Sequence, residues 1–242
     1  MTVRHTDGGT DADHGRTDAD RGRGGADGSV GPVPAPVAVP AGALPLARVA
    51  PRPVLAAPSP RVAEIVAVAR EVLESEGAAA LTMRRVGEVL GIRAPSLYKH
   101  LAGKTQLEVR LVDAGLVEFG DALHGVIDRA APPGVVGDLL TAYRRFATGR
   151  PNLYRLATAA SMPRGELTPG VEAWAGEPFY RATGDPYVAQ ALWAAAHGAV
   201  ILELDGRYLP GSDLDRTWAA LAAAFGAENR PVEAIPGCVS PG

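Results

Sequence analysis

The sequence predicts an all-α chain with a disordered tail at each end, the first rich in Gly, Pro and Ala. Three observations lead there: apolar residues repeat at helical spacing in several windows, Gly/Pro breaks separate those windows, and no run alternates apolar with polar residues. Residues 1–58 hold nine Gly and eight Pro without a period, so nothing in them can bury a face and a disordered tail is expected. Order should begin at Ser59-Pro60, an N-cap residue followed by the helical position that favours Pro. Val62, Ile65, Ala69, Val72 and Leu73 then form one apolar face, and Gly77 supplies the stop.

Leu81 to Leu107 reads LTMRRVGEVLGIRAPSLYKHLAGKTQL, which has the spacing of two short helices joined by a tight turn. Thr82 caps the first helix, Val86, Val89 and Leu90 face inward, Gly91 ends it and Ile92 plugs the turn. Ala94-Pro95 begins the second helix, anchored by Leu97 and Leu101. Gly87 falls where the two would cross, and a small residue there lets the backbones approach as a helix-turn-helix requires. Arg93, Ala94, Ser96, Lys99 and His100 are left outside, so the N-terminal end of the second helix can enter a major groove. Arg84 and Arg85 lie in a first turn, where each cation costs about 0.3–1 kcal/mol that an external anion would remove. Gly103-Lys104-Thr105 opens the next helix with free N–H groups beside a lysine, an anion site. Lys99 and Lys104 are the only lysines in the chain.

A long helix follows from about Lys104 to Ala130, with Leu107, Leu111, Val112, Leu116, Phe119 and Leu123 on more than one stripe, as in a helix packed on two domains. Breaks are expected near Pro132-Pro133-Gly134, Gly149-Arg150-Pro151, Met162 to Gly170, Gly184-Asp185-Pro186 and Leu209-Pro210-Gly211. Asp185-Pro186 starts a helix whose small residues, Ala195 and Ala199 among them, permit close approach of a neighbour. The last helix spaces Leu214, Trp218, Leu221 and Phe225 by 4, 3 and 4, one apolar face. These two helices are the expected homodimer surface, a four-helix bundle made by two chains. Residues 229–242 form the second tail.

Composition excludes several classes. One Cys, Cys238, in 242 residues rules out a disulfide framework or a multi-cysteine metal site within one chain and suits a reducing cytosol. Net charge is −3, so any DNA contact must be local. Residues 61–110 carry eight Lys/Arg against six Asp/Glu, while residues 111–242 carry ten against fifteen. No uninterrupted apolar stretch reaches the length of a membrane span, and Val33 to Ala47 is broken by four prolines, so a cytoplasmic protein without membrane contact is expected. No Ser/His/Asp order, Gly-rich phosphate loop or metal-ligand spacing stands out among the five scattered His, so neither enzyme, metal nor cofactor is expected.

Residues 61–110 resemble the DNA-binding domain of the TetR family of one-component bacterial transcriptional regulators. The likeness rests on Leu81-Thr82, Leu90-Gly91-Ile92, Pro95-Ser96-Leu97-Tyr98 with His100, and Lys104 with Leu107. It implies phosphate contacts from Thr82, Tyr98, His100 and Lys104, and places Arg93, Ala94, Pro95 and Ser96 against base edges. Two residues depart from the family: Leu101 stands for the more usual Phe, and Gly87 for the usual Ala, lowering helix propensity by about 0.5–1 kcal/mol. Trp193 and His197-Gly198 followed by Leu202-Glu203-Leu204 resemble the Trp-His-Gly type of C-terminal domain in part of that family. That likeness implies a small-effector pocket among the middle helices, with Phe146, Tyr154, Met162, Trp174 and His197 as candidates.

The expected organisation is a helix-turn-helix head at 59–107 and an effector-binding and dimerisation domain at 108–228. The expected function is a repressor that binds a palindromic operator on double-stranded DNA as a dimer and leaves it when a small-molecule effector binds. The alternatives are a DNA-binding regulator with no small-molecule ligand, an activator, and a helical enzyme with a coincidental helix-turn-helix.

Overall fold

The computed structural model describes residues 50–130 and 134–226; the tails expected at 1–58 and 229–242 lie outside them, apart from residues 50–58, where order begins earlier than the expected Ser59: Pro53 is buried, Leu55 packs on the core and Arg52 makes two bonds to Asp121. The described residues are all-helical, as the sequence predicts, with no strand among them. The helices are α1 (Pro60–Glu76), α2 (Met83–Val89), α3 (Ala94–Leu97), α4 (Lys104–Ile127), α5 (Val135–Gly149), α6 (Pro151–Thr158), α7 (Val171–Thr183), α8 (Pro186–Leu204) and α9 (Leu214–Gly226). Their ends follow local chemistry. Ser59 accepts the Val62 N–H, Thr82 Oγ1 accepts from Arg85 N at 3.1 Å, and one Asp185 carboxylate oxygen accepts from Tyr187 N and Val188 N. Gly77 (φ 86°) ends α1 and Gly184 (φ 70°) ends α7, both in backbone regions that favour glycine.

Two apolar clusters form the core. The first joins α1, α2 and α3 to the N-terminal half of α4 and to α6, through residues such as Ile65, Leu73, Val86, Leu97, Leu101, Leu107 and Leu153. The second joins the rest of α4 to α5, α7, α8 and α9 around Phe119, Tyr143, Phe179, Leu192 and Trp218. Leu116 of α4 packs against both, which is why that helix carries more than one apolar stripe. Charges reinforce the joint between them. Arg70 of α1 makes a two-pronged bond to Glu118 of α4, and Glu74 of α1 accepts the backbone N–H groups of Leu153 (2.9 Å) and Asn152 (3.3 Å). Glu74 therefore caps α6 from another helix, where Pro151 opens α6 and no residue of its own loop does so.

Three further features differ from the sequence reading or add to it. Val89, expected inside, is 44% exposed, because α2 stops there and Met83 and Val86 fill the space under it. Pro178 lies inside α7 and has no N–H, so the carbonyl four residues earlier, Trp174 O, loses its helical donor. His124 of α4 takes that place, its Nε2 donating to Trp174 O at 3.0 Å while the Trp174 indole stacks on the imidazole with centroids 3.5 Å apart. Gly120 makes this possible, since a Cβ there would come within 2.3 Å of the indole. Thirdly, α8 is long and apolar enough to cross a membrane by length and composition alone. Gln190, His197 and Glu203 interrupt its apolar residues, so it holds no uninterrupted apolar stretch of spanning length. Ala189, Leu192, Ala196 and Val200 bury one side of α8, and the rest of the helix is largely uncovered by its own chain.

Candidate DNA-binding surface and effector cavity

The helix-turn-helix is held by a close backbone contact. A Cβ on Gly87 would meet Ile92 O at 2.9 Å and Ala94 N at 3.4 Å, and the Gly87 carbonyl accepts the Ile92 N–H at 2.9 Å. Gly91 (φ 68°) makes the turn between α2 and α3. Leu97 and Leu101 are buried, so the rest of the segment faces out. Arg93, Pro95, Tyr98, Lys99 and His100 are exposed, Ala94 and Ser96 half-buried, and Tyr98 is 55% exposed without a hydrogen bond from its hydroxyl among the described residues. Regular α3 is a single turn, shorter than the sequence implies. His100 N and Leu101 N both still bond to Leu97 O, which extends the rod as far as Leu101.

The flanking cations divide. Arg84 is exposed and only loosely paired with Glu88 (3.4 Å), and Lys104 stands 3.4 Å from Glu108 at an α4 N-terminus that no side chain caps. Arg85, whose charge the sequence left seeking an external anion, is instead gripped by Glu76, with Nε and Nη2 bonds of 2.8–3.0 Å. Those bonds hold the Glu76 carboxyl below its usual range and raise the Arg85 guanidinium. Thr82 spends its hydroxyl oxygen on the α2 cap and remains exposed beside Arg84.

In the C-terminal part α4, α5, α6, α7 and α8 enclose a cavity of about 390 Å³. Of the five residues the sequence nominates, Phe146, Tyr154 and His197 line it; Met162 and Trp174 do not. Met162 is buried in the other core cluster, and Trp174 is occupied by His124 and by Asp121, to which its Nε1 donates at 3.1 Å. The sequence reading missed Phe119, Tyr143, Phe179 and Trp193. Nothing in their spacing separates a cavity wall from ordinary core. Tyr143 is wholly buried and bonds the Tyr154 hydroxyl, which bonds His197 Nδ1 at 2.7 Å. Burial pushes the Tyr154 phenol up to about 12, raises that of Tyr143, and lowers the His197 imidazole.

The apolar face of α9 also differs from the sequence expectation. Trp218 is buried in its own chain with Nε1 donating to Glu203 at 2.8 Å, and Leu221 and Phe225 pack on the same core. Leu214 is half-buried, and Ala199 also packs on that core. The bare side of α9 is Ala219, Ala220, Ala223 and Ala224; that of α8 is Tyr187, Ala191, Ala194, Gly198 and Leu202, with Ala195 half-buried at its edge.

Comparison with known proteins agrees with this architecture. The family described as "Bacterial regulatory proteins, tetR family" matches residues 65–110, and "Tetracyclin repressor-like, C-terminal domain" matches residues 136–225. An uncharacterized HTH-type transcriptional regulator of Bacillus subtilis, YobS, is 27% identical over 93 residues, 38% of this chain; the match spans about half (49%) of that relative's length. A TetR/AcrR-family transcriptional regulator from Thermobifida fusca superposes with a TM-score of 0.52 at 18% identity, covering 71% of this chain and all of that one. The multidrug binding protein EbrR, solved with imidazole, gives a TM-score of 0.52 at 24% identity, with 73% and 98% covered. With both domains present in order on the all-helical fold they share, the chain is a member of the TetR family of bacterial transcriptional regulators.

Proposed function

We propose that the protein is a ligand-responsive repressor. Two copies would bind a palindromic operator, with α3 and the turn after it in successive major grooves, and release it when an effector fills the cavity. The head would span residues 59–107 and the effector and dimerisation domain, of the Trp-His-Gly type, residues 108–228. The observation that carries the reading is the outward set Arg93, Ser96, Tyr98, Lys99 and His100 on a rod anchored by Leu97 and Leu101. In this reading Thr82, Arg84, Tyr98, Lys99, His100 and Lys104 hold phosphates. Arg93 reads guanine, and Ala94, Pro95 and Ser96 lie on base edges.

Dimerisation is supported by the bare apolar side of α8, whose small residues Ala191, Ala194, Ala195 and Gly198 let a second copy approach closely. The α9 contribution is its alanine side, in place of Trp218, Leu221 and Phe225. Response to an effector is supported by the placement of the cavity: α4, which lines it with Leu116 and Phe119, also begins at Lys104 beside the DNA-facing turn. An effector must discriminate between the two states by about 1–3 kcal/mol to release DNA.

The test is to select genomic fragments that the protein retains and measure their affinity by fluorescence anisotropy. Lys104→Ala should weaken binding to every sequence, and Arg93→Ala should relax discrimination at one base pair by about 1–3 kcal/mol. Equal affinity of wild type and Lys104→Ala at low salt overturns the assignment, and a monomer by light scattering overturns the dimer.

A further inference from the structure

The cavity is not evenly apolar. Tyr143, Tyr154, Thr158, Arg164 and Glu172 all reach it, and each is committed elsewhere. Thr158 Oγ1 donates to Tyr154 O, Arg164 pairs with Glu172 and donates to Ala157 O, and the two phenols bond each other. No unpaired charge lines the cavity. The polar groups with no protein partner among the described residues are the exposed Gln190 amide, the Trp193 indole N–H and His197 Nε2.

The direction of the Tyr143–Tyr154–His197 chain follows from burial. The Tyr143 hydroxyl has Tyr154 as its one hydrogen-bond partner and is shut off from water. Were Tyr154 to donate to it, the Tyr143 O–H would be left buried and unpaired, which is unfavourable. Tyr143 therefore donates to Tyr154, Tyr154 donates to His197 Nδ1, and the neutral imidazole carries its proton on Nε2. Burial of His197 favours that neutral ring. The cavity thus ends in an N–H donor whose orientation is set by two tyrosines, with Trp193 stacked beside it at 5.8 Å between centroids.

We infer that the effector is an uncharged, mainly apolar or aromatic compound carrying one acceptor oxygen, such as a ketone, ester, lactone or amide, which takes a hydrogen bond from His197 Nε2–H. This rests on the reading of the cavity as the effector site. A cation meets a donor where it needs an acceptor, and an anion finds no free positive charge. Tyr143 and Tyr154 are positioning residues that fix which face the imidazole shows.

Two measurements test this. Nitrogen NMR of histidine-labelled protein at neutral pH should show His197 protonated on Nε2 and bare on Nδ1, with the preference lost in Tyr154→Phe; an Nδ1-protonated ring in the wild type overturns the chain direction. Calorimetry then compares benzophenone, diphenylmethane and diphenylmethylammonium, which share two phenyl rings on one carbon. The ketone should bind about ten-fold tighter than the hydrocarbon, as one extra hydrogen bond provides, and the ammonium weakest. In His197→Phe the ketone and hydrocarbon should become equal. Equal binding of all three to the wild type, or tighter binding of the ammonium, overturns the acceptor assignment and leaves the cavity a ligand site. Binding of none overturns the effector-site reading, and this inference with it.

Discussion

Gly87→Ala sets two effects of opposite sign against each other. On propensity alone the change should help, because alanine in a helix interior is favoured over glycine by about 0.5–1 kcal/mol. In this structure the added methyl would lie 2.9 Å from Ile92 O and 3.4 Å from Ala94 N, both backbone atoms of the turn. Neither can swing away as a side chain can, so α2 and α3 must separate by a few tenths of an ångström. Overpacking of that kind costs about 1–3 kcal/mol, and the net expectation is a loss of about 1 kcal/mol. For an ordered region of this size that lowers the melting temperature by about 2–4 °C, with weaker DNA binding because α3 no longer sits at its present angle. Gly176→Ala is the control: it lies inside α7 with nothing within 4 Å of its Cβ, so the propensity gain is unopposed and the melting temperature should rise. Thermal denaturation followed by circular dichroism reads both. If Gly87→Ala stabilises as much as Gly176→Ala does, the close-contact account of the helix-turn-helix is wrong.

Three further outcomes are expected. Glu76→Gln releases Arg85 from its clamp, so affinity for any duplex should rise and the slope of log affinity against log salt should steepen by about 1 per chain; an unchanged slope in anisotropy titrations means Arg85 does not reach DNA. Glu177 is 2% exposed, and both its oxygens lack a hydrogen bond; burial raises its carboxyl, opposed by His124 and Arg181. A raised carboxyl contributes stability below the unfolded value of about 4.3, and that contribution is lost as pH rises through the folded value. Glu177→Gln should therefore be the more stable protein at pH 7 by about 1–3 kcal/mol, and a gap in melting temperature that narrows with rising pH would contradict this. Glu74→Ala removes the cap that α1 supplies to α6 and should cost about 1 kcal/mol. It should also weaken the dependence of DNA affinity on a cavity ligand, which titration with and without benzophenone would read.

The sequence made the head legible because its signals are local. Ser59-Pro60, Thr82, Gly91 and Ala94-Pro95 each act within a turn of where they stand, and the structure places helix ends at all of them. The C-terminal part was less legible because an apolar stripe says that a face is covered and not by what. Leu214, Trp218, Leu221 and Phe225 are spaced for burial, and the chain itself buries Trp218 fully and the others in part. Trp174 and Met162 look like pocket residues by type, yet one is spent on His124 and Asp121 and the other on the neighbouring cluster. The Tyr143–Tyr154–His197 chain was invisible because its links join residues 11 and 43 positions apart, beyond any local spacing rule.

The interruption of α7 at Pro178 has a mechanical consequence. A helix missing one rung of its ladder would ordinarily flex there, but His124 refills the rung from α4 and Trp174 lies flat across both. In the proposed reading, a push that a guest gave to Ala175, Gly176 or Phe179 would be handed to the rod running down to Lys104 instead of being absorbed as a local bend. The weak joint of one helix becomes the rivet that makes two helices travel together.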